Sequence, residues 1–174
     1  MSLSNPIIDS LHPDFSKQVR LVLTECSNAG FIMRPFFGIR SIFEQARLWR
    51  QGRTLAEIER KALKLEQSKA PFLAHAIRDV GPQHGRLVTG CPPGFSWHQY
   101  GLAIDCFLSI NGEANWDSEH PGYVYYAEAA TRFGLTVGRS FRIVDSVHIQ
   151  QPKSSVTEVY SIATINELME ERYA

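Results

Sequence analysis

Apolar residues along the first thirty positions return at three- and four-residue steps: Phe15, Val19, Val22, Leu23 and Cys26. That spacing predicts an amphipathic helix from Pro13 to Asn28, with Gly30 placed to close it. The run Phe31 to Phe37 then predicts a buried strand. Ser41 and Glu44 have the spacing of a capping box and open a second helix, which Gly52 ends. Thr54 and Glu57 repeat the device and open a third, from Leu55 to about Ser68. Pro71 interrupts the pattern ahead of Phe72 to Val80, and Leu87 to Thr89 reads as a short strand before the turn-rich stretch Gly90 to Gly94. Leu102 to Ser109 predicts a strand, and Asn111-Gly112 is a hairpin turn signal leading into Glu113 to Trp116. Tyr123 to Phe133 is helical, stopped by Gly134. Arg142 to Gln150 predicts a final strand, and Ser155 with Glu158 caps a closing helix from Val156 to about Tyr173. Helices mixed with short hairpin strands in this order predict an α+β fold, with helices packed on a small antiparallel sheet. No repeat or low-complexity linker divides the chain, so residues 1–174 read as one domain.

Composition narrows the functional classes. Of 174 residues, 44% are hydrophobic and 21% charged, a globular balance that argues against disorder. Eighteen basic residues face eighteen acidic ones, so bulk charge gives no reason to expect nucleic acid or an anionic membrane as partner. The opening Met1 to Pro6 lacks the basic cluster and apolar run of a Sec signal, and no stretch reaches the ~20 apolar residues of a membrane helix. The expectation is a protein made in the cytoplasm, whose action outside would need another export or lysis route. Cys26, Cys91 and Cys106 are odd in number and lack CxxC spacing, which argues against thiolate–zinc sites and disulfide frameworks.

The chemistry concentrates in Ser96-Trp97-His98-Gln99-Tyr100-Gly101-Leu102-Ala103-Ile104-Asp105. Zinc accepts imidazole nitrogen and carboxylate oxygen, the atoms that His98 and Asp105 offer. On an unbroken strand their odd spacing would send them to opposite faces, but Gly101 can turn the backbone between a loop carrying His98 and a strand carrying Asp105. Small Ala103 leaves room beside them. A carboxylate within the apolar run Leu102 to Leu108 is costly to bury unless it is paired or metal-bound. His148 supplies a third ligand and leaves a fourth position open, as in catalytic rather than structural zinc sites. Asp145, three residues earlier, can reach that open position from a loop or bulge without binding the metal. Glu113, Asp117, Glu119 and His120 are alternative ligands by residue type.

The run SWHQYGLAID resembles the SxHxxGxAxD signature of the zinc peptidases that include D-Ala-D-Ala carboxypeptidases and dipeptidases and L-alanyl-D-glutamate endopeptidases. Their fold is the hedgehog/D-Ala-D-Ala-peptidase-like one. Gly38-Ile-Arg40-Ser41 with Gln45 and Gly52-Arg53-Thr54 resembles the family's GxRSxxxQ…GRT stretch. Phe133-Gly134-Leu135 with Gly138, and then Asp145-Ser-Val-His148, resemble its FGL..G and [DE]xxH segments in the same order. The resemblance spans about residues 11 to 151 and implies Zn2+ held by His98, Asp105 and His148. It further implies Asp145 as general base, Arg40 as the cation that stabilises the oxyanion, Ser96 in the substrate network, and Gln45 as structural. The implied substrate is the peptide of peptidoglycan. The wording of the motifs is nearest the endolysin branch, which cuts L-Ala–D-Glu; a D-Ala-D-Ala carboxypeptidase or dipeptidase and a non-catalytic zinc-stabilised binding module are the alternatives. The chain departs from the family at Val147 and Ile149, where Pro and an aromatic are common, and in a longer stretch 55–85 that reads as a lid, a recognition insertion or a plain surface helix.

Overall fold

In the computed structural model, which describes residues 5–174, the elements follow in the order α1 (Pro6–Asp9), α2 (Pro13–Asn28), β1 (Ile32–Phe37), α3 (Ile42–Arg50), α4 (Leu55–Gln67), α5 (Pro71–Asp79), a 3-10 turn (Trp97–Tyr100), β2 (Ala103–Ile110), β3 (Glu113–Asn115), α6 (Pro121–Arg132), β4 (Thr136–Val137), a second 3-10 turn (Gly138–Ser140), β5 (His148–Gln150), α7 (Val156–Val159) and α8 (Ile162–Tyr173). Met1 to Ser4, on which the reading of the leader partly rests, lie outside the described residues. Among the described residues, no helix is long and apolar enough to cross a membrane. The chain forms two compact units, one ending at Ile39 and resuming over Tyr100–Lys153, the other made of Arg40–Gln99 and Ser154–Ala174.

The first unit carries the sheet. All its pairings are antiparallel, in the order β1-β2-β5-β4, with β3 returning along β2 through the Asn111-Gly112 turn. Both turn residues take positive φ, as this tight hairpin connection demands. Alternate residues of β2 face opposite ways: Ile104, Cys106 and Leu108 join a core with Phe15, Val19 and Val22 of α2 and Tyr126 of α6. Each such side chain, fully buried, is worth about 1.5–3 kcal/mol. Asp105 and Phe107 occupy the other face. The strand Ile32–Phe37 is not buried as its apolar run suggests. It is an edge strand on which Met33 alone is fully covered, with Ile32 and Phe36 exposed.

The second unit is helical. Both anticipated capping boxes form, Ser41 with Glu44 and Thr54 with Glu57. Residues 55–79 are two antiparallel-packed helices whose Ile58, Leu65, Leu73 and Ile77 are buried, with Arg78 of α5 bonded to Glu59 and Glu66 of α4. Leu73 of α5 donates its peptide N–H to Asn166 Oδ1 of α8 at 3.2 Å.

Three predicted elements differ. Leu87 to Thr89 forms no strand: Leu87 and Val88 are exposed, and the Thr89 carbonyl is taken by Arg53 Nη2 at 2.9 Å. Arg142 to Gln150 is strand only over its last three residues, because Asp145 N–H bonds back to Gly138 O at 3.0 Å and makes the approach a turn. The closing helix breaks at Tyr160, whose extended backbone ends α7, and restarts where the Ser161 side chain caps α8.

Candidate metal centre and active site

The ladder between β2 and β5 builds the centre of the site. Asp105 and His148 are register partners, and their side chains meet on the face away from the apolar core, with His148 Nδ1 2.9 Å from Asp105 Oδ1. Burial acts to lower the His148 pKa. The hydrogen bond and charge of Asp105, helped by Gln150 and Asp145, outweigh it and hold the ring above the ordinary histidine value.

His98 sits in the 3-10 turn Trp97–Tyr100. Gly101 follows with φ +68°, where a side chain is strained, and its carbonyl accepts from the His12 N–H at 3.0 Å before β2 begins. The turn anticipated between the two ligands is therefore present. One ligand atom each from His98, Asp105 and His148 lie within 4.8 Å of one another, and all three residues are buried. Two imidazole nitrogens and a carboxylate oxygen are donors that zinc accepts, so the set fits such an ion in its chemistry.

The alternative ligands are used elsewhere. His120 Nδ1 accepts from Gly122 N–H at the start of α6, Asp117 Oδ1 accepts from Glu119 N–H, and Glu119 pairs with Arg139 at 3.5 Å. Among the described residues, they assemble no second cluster of three.

Around the centre, the loop ahead of β5 is pinned at several points. Arg139 Nη1 donates to Ser118 O at 2.6 Å and to Ser146 Oγ at 3.3 Å, and the His148 N–H donates to Asp145 O at 3.2 Å. Asp145 itself is exposed and close enough for its charge to act on His148. The Phe141 ring lies 5.6 Å from the His148 ring, centroid to centroid.

Gln150 is a neighbour of the cluster that the motif reading passes over. Its amide N–H donates to Pro152 O at 2.7 Å, which turns its Oε1 towards His148 Nε2 at 3.0 Å. The ring is thereby set with Nε2 facing the Gln150 amide oxygen and Nδ1 facing Asp105. Alternation along β5, which puts residues 148 and 150 on one face, is the signal that could have found it.

Within the second unit, Arg40 donates its peptide N–H to the His98 carbonyl at 3.3 Å and its Nη1 to Gln45 Oε1 at 2.9 Å. Gln45, fully buried, also donates to Cys91 O at 2.7 Å. Ser96 leads into the 3-10 turn, with its N–H given to Gln99 Oε1 at 3.2 Å.

Residues 8–139 match the VanY family, described as D-alanyl-D-alanine carboxypeptidase, and this stretch includes Arg40, His98 and Asp105. The chain belongs to the VanY family. As a VanY-family member, the protein is a peptidoglycan peptidase. Asp145 and His148 fall beyond the matched residues, and it is the β2–β5 pairing that brings His148 to Asp105. A curated relative, the peptidoglycan L-alanyl-D-glutamate endopeptidase CwlK of Bacillus subtilis (strain 168), is 29% identical over 154 residues, covering 83% of this chain and 75% of CwlK. Solved structures similar to this VanY-family chain include the L-Ala D-Glu endopeptidase ChiX of Serratia marcescens, at 18% identity and TM-score 0.48 over 86% of each chain. Another is the vancomycin resistance D,D-pentapeptidase VanY in complex with Zn(II), at 18% identity and TM-score 0.48 over 86% of this chain and 78% of that one.

Proposed function

We propose that this VanY-family peptidase is zinc-dependent and cuts the L-Ala–D-Glu bond of peptidoglycan stem peptides. The buried convergence of His98, Asp105 and His148 carries the metal half of this reading. The likeness to CwlK, an L-alanyl-D-glutamate endopeptidase, supports the choice of bond.

His98, Asp105 and His148 would hold the zinc, which would supply Lewis acidity towards the peptide carbonyl and water. Asp145, exposed on a pinned loop beside His148, takes the proton from the attacking water and hands it to the leaving amine. Arg40 supplies the fixed positive charge that favours the carbonyl oxygen as it becomes negative. Ser96 helps to hold the peptide, and Gln150 keeps the His148 ring in the orientation that ligation needs.

The matched family's own description favours a second reading, removal of the terminal D-Ala. Mass spectrometry of purified muropeptides after digestion separates the two. Endopeptidase action splits the sugar-bound L-Ala from the rest of the stem, whereas carboxypeptidase action shortens pentapeptide stems by one alanine. Metal analysis of the same samples should give about one zinc per chain. Zinc-loaded protein that yields neither product would overturn both peptidase readings and favour a binding module.

A further inference from the structure

On the sheet face that carries Asp105, three large aromatic rings stand together near the ligand. Phe107 is two residues along β2 from Asp105 and shares its face, about 6.6 Å away along the strand. Phe36 is the extra residue where the β1–β2 register shifts between Pro35 and Phe37, and Phe37 itself pairs with Asp105. Trp116 follows β3. The centroids of Phe36 and Phe107 are 6.1 Å apart, those of Phe36 and Trp116 5.4 Å, and those of Phe107 and Trp116 5.6 Å. Phe36 and Trp116 meet at 88° and so form a corner rather than a flat stack. The patch is open to solvent, with Trp116 60% and Phe36 38% exposed. A contiguous exposed apolar surface is a feature of ligand-binding grooves and of partner surfaces.

We propose that Phe36, Phe107 and Trp116 form a subsite for the muramyl sugar that bears the stem peptide. The inference rests on the L-Ala–D-Glu reading and deepens it. A pyranose ring has an apolar face of C–H bonds carrying slight positive charge, and the faces of aromatic rings carry the opposite charge. Distance selects the sugar from the rest of the substrate. Between the sugar and an L-Ala–D-Glu scissile carbonyl stand the lactyl group and one residue, about 7 Å at ~3.3–3.6 Å per unit. This matches the step from Asp105 to Phe107. For a terminal D-Ala–D-Ala bond, five units intervene, about 17 Å, and the sugar would lie beyond this patch.

The test uses zinc-loaded full-length protein and two substrates with the same peptide, one amino-linked to the muramyl lactyl group and one to acetyl. Wild type should have a kcat/KM roughly two- to tenfold higher on the muramyl substrate, the worth of an aromatic face contact. Trp116→Ala should bring that ratio near one and leave the acetyl-peptide rate unchanged, with Trp116→Phe between them. Equal rates on both substrates in wild type would overturn the sugar subsite while leaving the endopeptidase standing. Cleavage of neither would overturn the endopeptidase reading on which the subsite depends. A Trp116→Ala variant that slows both substrates alike would assign the ring a structural role. Loss of a wild-type dimer with the ratio unchanged would assign the patch to a second copy of the chain. Either result overturns the proposal.

Discussion

Replacing Gln150 with Leu removes both the oxygen facing His148 Nε2 and the donor to Pro152 O, at a buried position where a side chain of similar volume fits. In the intact protein the amide is clamped by Pro152 O at 2.7 Å, so Oε1 cannot turn away from the ring 3.0 Å distant. Loss of a buried hydrogen bond of this kind costs ~1–3 kcal/mol. For an outer partner of a metal-binding histidine, the usual loss of affinity is about 10- to 100-fold, or ~1.4–2.7 kcal/mol, so the two estimates agree. Gln150→Leu should therefore bind zinc 10- to 100-fold more weakly, while Gln150→Glu, which keeps an acceptor, stays much nearer wild type. Competition against a chromophoric chelator gives the affinities, and circular dichroism of the metal-free forms controls for folding. Wild-type zinc affinity in a folded Gln150→Leu protein would refute the reasoning.

Asp145→Asn should retain zinc and lose about 10²–10⁴-fold in turnover, and Arg40→Ala should retain zinc and lose roughly 10²–10³-fold, measured on muropeptides with metal content in parallel. Full activity in zinc-loaded Asp145→Asn would remove it as the base. Gly138→Ala would place a Cβ 2.3 Å from Asp145 O and 2.9 Å from His148 Cβ. It should destabilise by about 1–3 kcal/mol and depress both zinc affinity and turnover, so an unchanged denaturation midpoint would contradict the packing described. Of the three cysteines, Cys26 and Cys106 are fully buried with their thiols pushed up to about 12 by burial, whereas Cys91 is exposed. A thiol reagent should thus titrate one cysteine in the native protein and three after denaturation.

Signals that act over a few residues were legible in the sequence. The helix Pro13–Asn28 and the capping boxes at Ser41 and Thr54 follow from side-chain periodicity and local hydrogen bonding, and both appear where the pattern puts them. The short helix α1, opened by Asn5 with Pro6 ahead of the apolar periodicity, was not anticipated. Features set by partners were less legible. The apolar residues Ile143 and Val144 give Arg142 to Gln150 the look of a strand, yet they are exposed on the loop that presents Asp145. β4 is two residues long and exists because Thr136 and Val137 find Gln150 and Ile149 across the ladder. The clustering of His98, Asp105 and His148 was readable because residue chemistry names such donors, and the buried Asp105 could not stand alone in an apolar strand. The pinning of the ring by Gln150 needed the fold, since its meaning lies in where Pro152 points the amide.

The pairing of Asp105 with His148 makes the ladder a reading frame for the proposed metal centre. Ile104 and Ile149, the next pair along, are both sealed in the core, while Asp105 and His148 face the other way. A slip of β5 by one residue would turn His148 and Gln150 into that core and expel Ile149, forfeiting about 1.5–3 kcal/mol for the isoleucine alone before the stranded imidazole is counted. The frame is thus kept by greasy residues that stand on the opposite face from Asp105 and His148. A proposed centre framed this way takes its strand register from the fold, so treatment with a chelator should leave the first unit folded.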